Sequence, residues 1–360
     1  MLRYTRVFCT LQAGAAILMA CFFVTGVAWS APLPKTLRVG VLYWSMNIPG
    51  QVAMRKGLED EAAHLNREAG RTGSPRIELL PRVAGDGVSG VERQIVQMNE
   101  MVRLKPDIII VQPTDNAALA APLKSANQAG IPVVAYDQYI SGGKLASYVT
   151  SDNHQAGYLD GEYLASRFAP QQTIRLIVVE YPRVSSTVER LNGFLDALRD
   201  NGQPYRIVKT YEAVEPIAGK LAGEAILRDF PGKGSVDAIF TVNDGGGLGV
   251  VDVLAQAGRM EIQVASIDGD PQSVENIRKY RLTRIDSAQF CGPLGAEAMK
   301  AAYAIATGIS VARQLLVPAF PVTTETLTRY PGWGGPIPAA FKKPWRARDA
   351  EWNGAVKAVK

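Results

Sequence analysis

The sequence predicts an α/β protein with two doubly wound parallel sheets. Short β-rich runs alternate with amphipathic helical stretches from residue 36 onward, as in folds where helices cover both faces of a parallel sheet. Several β-rich runs, such as Ile174–Tyr181 and Asp237–Val242, are largely apolar, and strands without polar alternation are typical of sheets buried on both sides. About ten such runs occur, more than the five or six strands of an average sheet. We therefore expect the strands to divide into two sheets.

Each element follows from a local pattern, taken here in chain order. The predicted strands are Leu37–Trp44, Ile77–Val83, Asp107–Gln112, Ile131–Tyr136, Ala146–Thr150, Ile174–Tyr181, Tyr205–Tyr211, Asp237–Val242, Ile262–Ile267 and Leu282–Asp286. The predicted helices are Gly50–Gly70, Val91–Leu104, Ala118–Ala129, Gln155–Phe168, Val188–Asp200, Ile217–Asp229, Leu248–Gly258 and Gly292–Thr307. Gly70 occupies the place of a helix-ending glycine, and Pro106 separates a helix from the next strand. From Pro331 the chain is rich in Pro, Gly and Trp, so we predict an irregular surface segment there.

The composition is that of a globular protein. The chain has 360 residues, 47% of them apolar and 20% charged, which favours about two domains and excludes a disordered, collagen-like or coiled-coil protein. After residue 30, no apolar stretch approaches the roughly 20 residues that span a bilayer. The net charge is +5. Two of the arginines that contribute to it lie in the first 30 residues, and the chain has no run of basic residues. Nucleic acid is therefore not an expected partner.

The first 30 residues are typical of a secretory signal peptide. A short basic stretch precedes the apolar run Ala13–Trp29, and small residues at the end of that run place cleavage before Ala31. We therefore expect an exported protein. An uncleaved membrane anchor and lipidation at Cys21 are the two alternatives.

Cysteine and histidine are too scarce for several kinds of chemistry. The chain has three cysteines and two histidines, and only Cys291 lies after the predicted leader. The mature chain can form no intrachain disulfide, and we interpret Cys291 as a small buried hydrophobe. We expect neither a metal site nor a cofactor. His154 is expected to lie exposed in the first turn of a helix.

Polar and aromatic side chains are concentrated just after the predicted strands. Ligands of open parallel sheets bind beyond the carboxyl ends of the strands, where helix N-termini also point. The residues there include Tyr43, Trp44, Gln112, Asp137, Gln138, Tyr139, Ser151, Asp152, Glu212, Glu215, Asn243, Asp244, Asp268, Asp270 and Gln289. Carboxylates accept from hydroxyls, amides donate and accept, and aromatic faces cover the C–H faces of a sugar, so this set suits a neutral polyhydroxylated ligand. Many of these residues are also usual helix caps, an alternative that the sequence leaves open.

Enzyme motifs are incomplete, and we predict that the protein is not an enzyme. The segment Asn243–Gly249 suggests a phosphate-binding loop, but Val250 stands where the third glycine belongs and no Walker lysine follows. The chain has no G-x-S-x-G motif for a hydrolase nucleophile. Glu212 and Glu215 could form a glycosidase pair, but carboxylates at strand ends of this fold more often accept hydrogen bonds from hydroxyls.

Several motifs, in this order and behind a leader, resemble the periplasmic solute-binding proteins of the ribose/galactose type, which feed sugar ABC transporters. The motifs, spread over residues 36–328, are IIIVQPTDNAALAAPLKSANQAGIPVVAYD, YVTSDNHQAGYLDGEYLA, VERLNGF, AIFTVNDGGGLGVVDVLAQAG and VASIDGDPQ. The resemblance implies the type I fold of periplasmic binding proteins, with two lobes joined by a three-segment hinge and ligand in the cleft between them. The implied boundaries are a signal peptide at 1–30, an N-terminal lobe at 36–151 with 290–317, a C-terminal lobe at 152–289 with 318–340, and a tail at 341–360. The crossovers fall near Ser151/Asp152, Gln289/Phe290 and Val317/Pro318.

The resemblance also implies ligand-binding residues. Asp137 matches the family's hydroxyl-binding aspartate after the fourth strand, and Asn243 matches the asparagine before a second-lobe helix. Asp268 matches the aspartate of the family's I-D-G motif, and Gln289 matches the hinge glutamine. The remaining predicted ligand-binding residues are Tyr43, Trp44, Gln138 and Glu215.

Some positions depart from the family's pattern. Gln138 and Val188 stand where ribose binders carry arginines, while Arg190 is retained and interpreted as structural. Glu215 lies near the place of a stacking phenylalanine. These departures argue against ribose itself and leave open another pentose, a polyol or a larger sugar. A cation such as an amine is also possible as a ligand, because unpaired buried carboxylates are costly and a cation would pair with them.

The predicted function is that of the periplasmic substrate-binding component of an ABC transporter for a sugar or polyol. The monomeric protein would enclose its ligand by hinge closure and present the closed form to the membrane permease. The main alternative is a ligand-binding partner of the periplasmic domain of a sensor histidine kinase. A sugar-responsive repressor would need an N-terminal DNA-binding helix-turn-helix, and a leader stands there instead.

Overall fold

Two sheets form the framework of the computed structural model, which describes residues 35–359. The strands are β1 (Thr36–Tyr43), β2 (Arg76–Val83), β3 (Ile108–Val111), β4 (Val133–Tyr136), β5 (Ser147–Ser151), β6 (Ile174–Glu180), β7 (Tyr205–Glu212), β8 (Ala238–Thr241), β9 (Gln263–Asp268), β10 (Thr283–Ala288), β11 (Gln314–Val317), β12 (Phe320–Val322), β13 (Phe341–Lys342), β14 (Glu351–Trp352) and β15 (Lys357–Val359). The helices are α1 (Pro49–Thr72), α2 (Gly87–Leu104), α3 (Ala120–Gln128), α4 (Asn153–Ser166), α5 (Ser185–Asp200), α6 (Pro216–Asp229), α7 (Asp244–Gln256), α8 (Pro271–Arg278) and α9 (Cys291–Ala306). The predicted two-lobed α/β fold is confirmed. The predicted leader lies outside the described residues.

The first sheet has the strand order β15-β11-β5-β4-β3-β1-β2. All of its pairings are parallel except that of β15, which runs antiparallel to β11 at the edge. The second sheet has the order β12-β10-β9-β8-β6-β7, and only β12 is antiparallel to its neighbour. Because parallel strands share one direction, the carboxyl ends of β1, β3, β4 and β5 meet at one edge and those of β6, β8, β9 and β10 meet at another.

Burial on both faces explains why the strands are apolar. The four residues of β3, Ile108–Val111, are all fully buried, and alternate side chains enter different cores on the two sides of the sheet. The second sheet has the same arrangement in β8, Ala238–Thr241. This is the pattern expected of strands covered by helices on both faces.

Glycines let neighbouring helices approach closely. A side chain at Gly157 of α4 would overlap the backbone of Arg190 in α5, and one at Gly246 of α7 would overlap the backbone of Ala213, just before α6. The glycines of the segment that suggested a phosphate loop are thus used for packing between chain segments.

The chain passes between the two sheets after β5, after β10 and between β11 and β12. The lobe boundaries given above stay a prediction. After β12 the chain continues as residues 323–359, which we call the extension. The prediction that it is irregular from Pro331 is wrong in part, because β13, β14 and β15 form there and bury Trp352. The short helix α8 was also not predicted. Within the described part of the chain, no helix combines the length and apolarity needed to cross a membrane.

Candidate functional site

The hinge glutamine connects the carboxyl edges of the two sheets. The Gln289 side chain donates from Nε2 to Oδ1 of Asp268 at 2.6 Å and accepts at Oε1 from the Ser151 hydroxyl at 2.7 Å. Ser151 ends β5 in the first sheet, and Asp268 ends β9 in the second. The nitrogen and the oxygen of one side-chain amide therefore link the two lobes at this point.

A buried arginine completes the surroundings of Asp268. Nη1 of Arg190 donates to Oδ1 of Asp268 at 2.9 Å and to the carbonyl of Val242 at 2.9 Å, and Nε donates to Oδ1 of Asn153 at 3.0 Å. The Arg190 side chain is only 8% exposed, whereas that of Asp268 is 27% exposed. Arg190 thus neutralises a carboxylate that still reaches the open space beyond the strand ends.

Asp137 lies after β4 and provides the carboxylate of the first lobe. Its Oδ2 accepts from Nε2 of Gln112 at 3.0 Å, and the Gln112 Oε1 accepts from the backbone N–H of Trp44 at 3.4 Å. The backbone of Asp137 has φ 65°, a left-handed conformation that Asp and Asn tolerate better than most residues. The carbonyl of Asp137 accepts from the hydroxyls of Tyr148 and Thr150.

Burial changes the acidity of Asp137. Desolvation raises the pKa of this carboxyl to about 6, opposed by the Gln112 hydrogen bond and the Arg190 charge and assisted by the nearby charge of Asp268. Asp137 and Asp268 therefore influence one another electrostatically across the space between the strand ends.

Asn243 is used as a helix cap. Its Oδ1 accepts from the N–H of Gly246 at 3.1 Å in the first turn of α7, and its Nδ2 donates to the carbonyl of Val214 at 3.0 Å. An amide oxygen has two lone pairs and an amide nitrogen two hydrogens, so one acceptor and one donor position remain for a ligand.

The other predicted residues lie in different surroundings. Tyr43 is fully buried beneath α1, where its hydroxyl donates to Oε1 of Glu59 at 3.2 Å and Arg55 covers its ring. The structure therefore does not bring the Tyr43 side chain to the group formed by Asp137 and Asp268. Trp44 and Gln138 are half-buried at the ends of β1 and β4, and Glu215 is exposed just before α6.

A cavity of about 260 Å³ lies between the lobes beside the Asp137 carbonyl. Its lining residues are Tyr139, Tyr148, Thr150 and Gln314 from the first lobe, and Asn153, Ser185, Ser186 and Glu189 from the second. The rings of Tyr139 and Tyr148 meet edge to face at 5.4 Å. The lining combines aromatic rings with hydroxyls, two side-chain amides and a carboxylate, which is the composition expected for hydroxyl-rich ligands.

Sequence reasoning did not place Arg190 in the site. The position of the family's expected arginine, Val188, carries no charge, and the role of the retained arginine depends on how α5 crosses the ends of β8 and β9. His154 is exposed in the first turn of α4, as predicted, and its Nε2 lies 2.9 Å from Oδ2 of Asp196. Cys291 is buried as predicted.

The chain belongs to the periplasmic binding protein domain family, whose pattern it matches over residues 39–310. Two curated relatives illustrate the similarity. The ribose import binding protein of Bacillus subtilis is 24% identical over 266 residues, which cover 73% of this chain and 81% of the relative. The D-ribose/D-allose-binding protein of Pseudomonas aeruginosa is 28% identical over 71% of this chain and 78% of its own length.

Solved structures agree on the fold. A periplasmic solute-binding protein of an ABC transporter from Actinobacillus succinogenes, with bound D-allose, superposes with a TM-score of 0.68 at 24% identity, over 82% of this chain and all of that chain. A solute-binding protein from Bacillus halodurans, with bound myo-inositol, gives a TM-score of 0.69 at 22% identity over 84% and 99% of the two chains.

Proposed function

We propose that this protein is the periplasmic substrate-binding component of an ABC transporter for a neutral sugar or polyol. The ligand would bridge Asp137 of the first lobe and the Asp268–Gln289 pair at the hinge, and closure of the lobes would bury it. The observation that carries the proposal is the network from Ser151 through Gln289 and Asp268 to Arg190, because it places hydrogen-bonding groups of both lobes at facing strand ends.

The relatives support the choice of ligand class and partner. Curated relatives carry names of ribose, allose and xylitol binding, and solved neighbours hold D-allose, myo-inositol or allitol. The solved neighbours that hold D-allose, myo-inositol and allitol are described as solute-binding proteins of ABC transporters, so we propose a membrane permease as the partner of the closed form. They give no support to the alternative of a sensor-kinase partner.

The site favours a ligand other than ribose. Gln138 and Val188 supply no positive charge where ribose binders have two arginines, and Arg190 is already paired with Asp268. Amide and carboxylate groups remain to bind hydroxyls, while the positive charge of Arg190 beside Asp268 argues against a cationic ligand. We therefore propose a hexose or polyol, with residues 1–30 acting as a cleaved signal peptide and the protein acting as a monomer without catalytic activity.

The test is ligand binding by the full chain, exported with its own leader and purified from the periplasm. Unfolding is followed by thermal shift with D-ribose, D-allose, myo-inositol, allitol and spermidine as probes. A ligand at a hundredfold excess over its Kd stabilises the folded state by about 2.7 kcal/mol. We expect a thermal shift with one hexose or polyol. We also expect that ligand to be chemically unchanged after incubation with the protein, since no catalytic activity is proposed. Asp268→Asn should abolish the shift, and Asp196→Asn, at a half-buried aspartate of α5 that pairs with His154, should preserve it. A shift with spermidine alone, or none with any probe, would overturn the proposal.

A further inference from the structure

The extension, residues 323–359, lies beyond the segment that matches the family pattern, which ends at residue 310. It nevertheless reaches the candidate site. The indole Nε1 of Trp333 donates to the backbone carbonyl of Asp268 at 2.7 Å, and the carbonyl of Trp333 accepts from the N–H of Gly292 at 2.8 Å. Asp268 ends β9 in the second lobe, and Gly292 lies in the first turn of α9, which packs on the first lobe. One residue of the extension therefore bridges the two lobes next to the hinge.

The backbone that Trp333 holds is strained. Asp268 has φ 133°, a conformation that is costly for any residue other than glycine and persists only where neighbouring contacts enforce it. The carbonyl of Asp268 also accepts from the N–H of Gln289 at 3.1 Å. The backbone N–H groups of the next two residues are also held, because Gly269 donates to Oδ1 of Asp286 at 2.9 Å and Asp270 donates to Oδ2 of Asp244 at 2.8 Å. Trp333 adds a contact from the extension to the Asp268 carbonyl itself.

Close packing fixes the position of Trp333 itself. Tyr330 stacks on Phe320 with the ring centroids 5.7 Å apart, which anchors the chain three residues earlier. On the other side, Gly334 approaches Gly292 so closely that a side chain at position 292 would contact the Gly334 backbone within about 3 Å. The indole is therefore positioned by contacts on both of its flanks.

The rest of the extension is attached to both lobes as well. Trp352 of β14 donates from Nε1 to the carbonyl of Ala319 at 2.8 Å, beside β12 of the second sheet. Five residues later Lys357 begins β15, which pairs with β11 of the first sheet, and its Nζ lies 2.7 Å from Oδ2 of Asp152 at the hinge. The segment that carries Trp333 is thus not free to leave the site.

We propose that Trp333 is a positioning residue of the ligand site. Its indole N–H fixes the carbonyl of Asp268, and this fixes the direction in which the Asp268 carboxylate points toward Gln289, Arg190 and the ligand. The inference rests on the proposed function for the role of Asp268 in binding. It assigns to the extension a part in the site that the common core of the family does not supply.

The test compares two conservative variants of the extension. Trp333→Phe keeps an aromatic ring but removes the N–H that Asp268 accepts. Trp345→Phe is the matched control, because it removes an indole N–H that goes instead to Oε1 of Glu162, on α4. Binding of the sugar or polyol identified above is measured by titration calorimetry. Since one hydrogen bond contributes about 1 kcal/mol, we expect Trp333→Phe to raise the Kd about three- to tenfold and Trp345→Phe to leave it unchanged.

A second measurement separates this inference from the proposed function. Hydrogen exchange of the unliganded protein is followed in a peptide covering residues 266–272. We expect faster exchange there in Trp333→Phe and wild-type exchange in Trp345→Phe. If no probe binds the wild-type protein, the proposed function fails while the exchange experiment still decides whether Trp333 fixes the loop. Wild-type exchange in Trp333→Phe, or equal effects of both variants on the Kd, would overturn the inference.

Discussion

Gln289 donates to Asp268 at 2.6 Å at the point where the chain leaves the second sheet for the first lobe. The same carboxylate oxygen also accepts from Arg190. Asp268 is therefore held by one neutral and one charged donor, and its second oxygen is left to accept from a ligand. The arrangement gives this carboxylate a charged partner in a site that closes over a neutral molecule.

Removing the hinge amide should weaken binding. Gln289→Ala deletes one donor to Asp268 and also leaves the Ser151 hydroxyl without its acceptor. Hydrogen bonds to charged groups contribute about 1.5–3 kcal/mol, so we expect the Kd of the bound sugar or polyol to rise roughly 10- to 100-fold. Calorimetry measures the Kd, and Gln171→Ala, in an exposed loop before β6, is the control. Equal Kd values for Gln289→Ala and wild type would contradict the assignment of Gln289 to the site.

Ligand affinity should depend on pH through Asp137. Burial raises the pKa of this carboxyl to about 6, so the group is mostly protonated at pH 5 and mostly ionised at pH 7. If ligand hydroxyls donate to the carboxylate, the ionised form binds better, and the Kd should fall about tenfold from pH 5 to pH 7 and then level off. Calorimetry at pH 5, 6, 7 and 8 measures this, and Asp137→Asn should remove the step. A Kd independent of pH over this range would show that Asp137 does not accept from the ligand.

Buried carboxylates beneath the site should make stability depend on pH. Asp286 is fully buried and interacts electrostatically with Asp244, and burial raises the pKa of Asp286 to about 7. Because this value lies above the unfolded one near 3.8, the folded state binds more protons between about pH 4 and 7. The stability contributed by the protonated form is therefore fully present below pH 4 and is lost as the pH rises to about 7.

Asp286→Asn should remove this loss. The asparagine can still accept from Gly269 and can donate to Asp244 without a titrating proton. We expect the free energy of unfolding of the variant, relative to wild type, to rise by roughly 2–4 kcal/mol between pH 4 and pH 8. Urea unfolding measures both proteins, and the exposed Asp252→Asn should show no comparable change. A constant difference across this pH range would contradict a raised pKa of Asp286.

The sheets could be predicted from sequence because burial on both faces leaves a local signature. The runs that became β3, β6 and β8 are apolar whatever lies beside them. Asp137, Asp268 and Gln289 belong to the set of strand-end residues that the same reasoning predicted, since the ends of parallel strands share an edge. The resemblance to the family then singled them out from that set. The short strand β12 and helix α8 could not be predicted with the same ease, because three to eight residues give too little periodicity.

Contacts between distant parts of the chain left no such signature. Arg190 reaches Asp268 across 78 positions, and Trp333 reaches it across 65. The extension was predicted to be irregular because its prolines and glycines interrupt every helical or strand period. Its order comes instead from tertiary partners, such as the Ala319 carbonyl for Trp352, and these can be identified only after the lobes are assembled.

The buried ion pair between the extension and α4 should contribute strongly to the stability of the fold. Nζ of Lys343 lies 2.8 Å from Oε1 of Glu162, and the two side chains are 5% and 0% exposed. Among the described residues, Lys343→Met leaves the buried Glu162 carboxylate with the Trp345 indole as its one remaining donor. We therefore expect a loss of about 3–5 kcal/mol in the free energy of unfolding. The double variant Lys343→Met, Glu162→Leu should recover most of this loss, because no buried charge remains.

The control is an exposed ion pair. Arg348→Ala breaks an exposed pair with Asp200 and should cost less than about 1 kcal/mol. Guanidinium unfolding compares the three variants with wild-type protein. A double variant no more stable than Lys343→Met would show that the loss comes from packing of the extension rather than from the unpaired carboxylate.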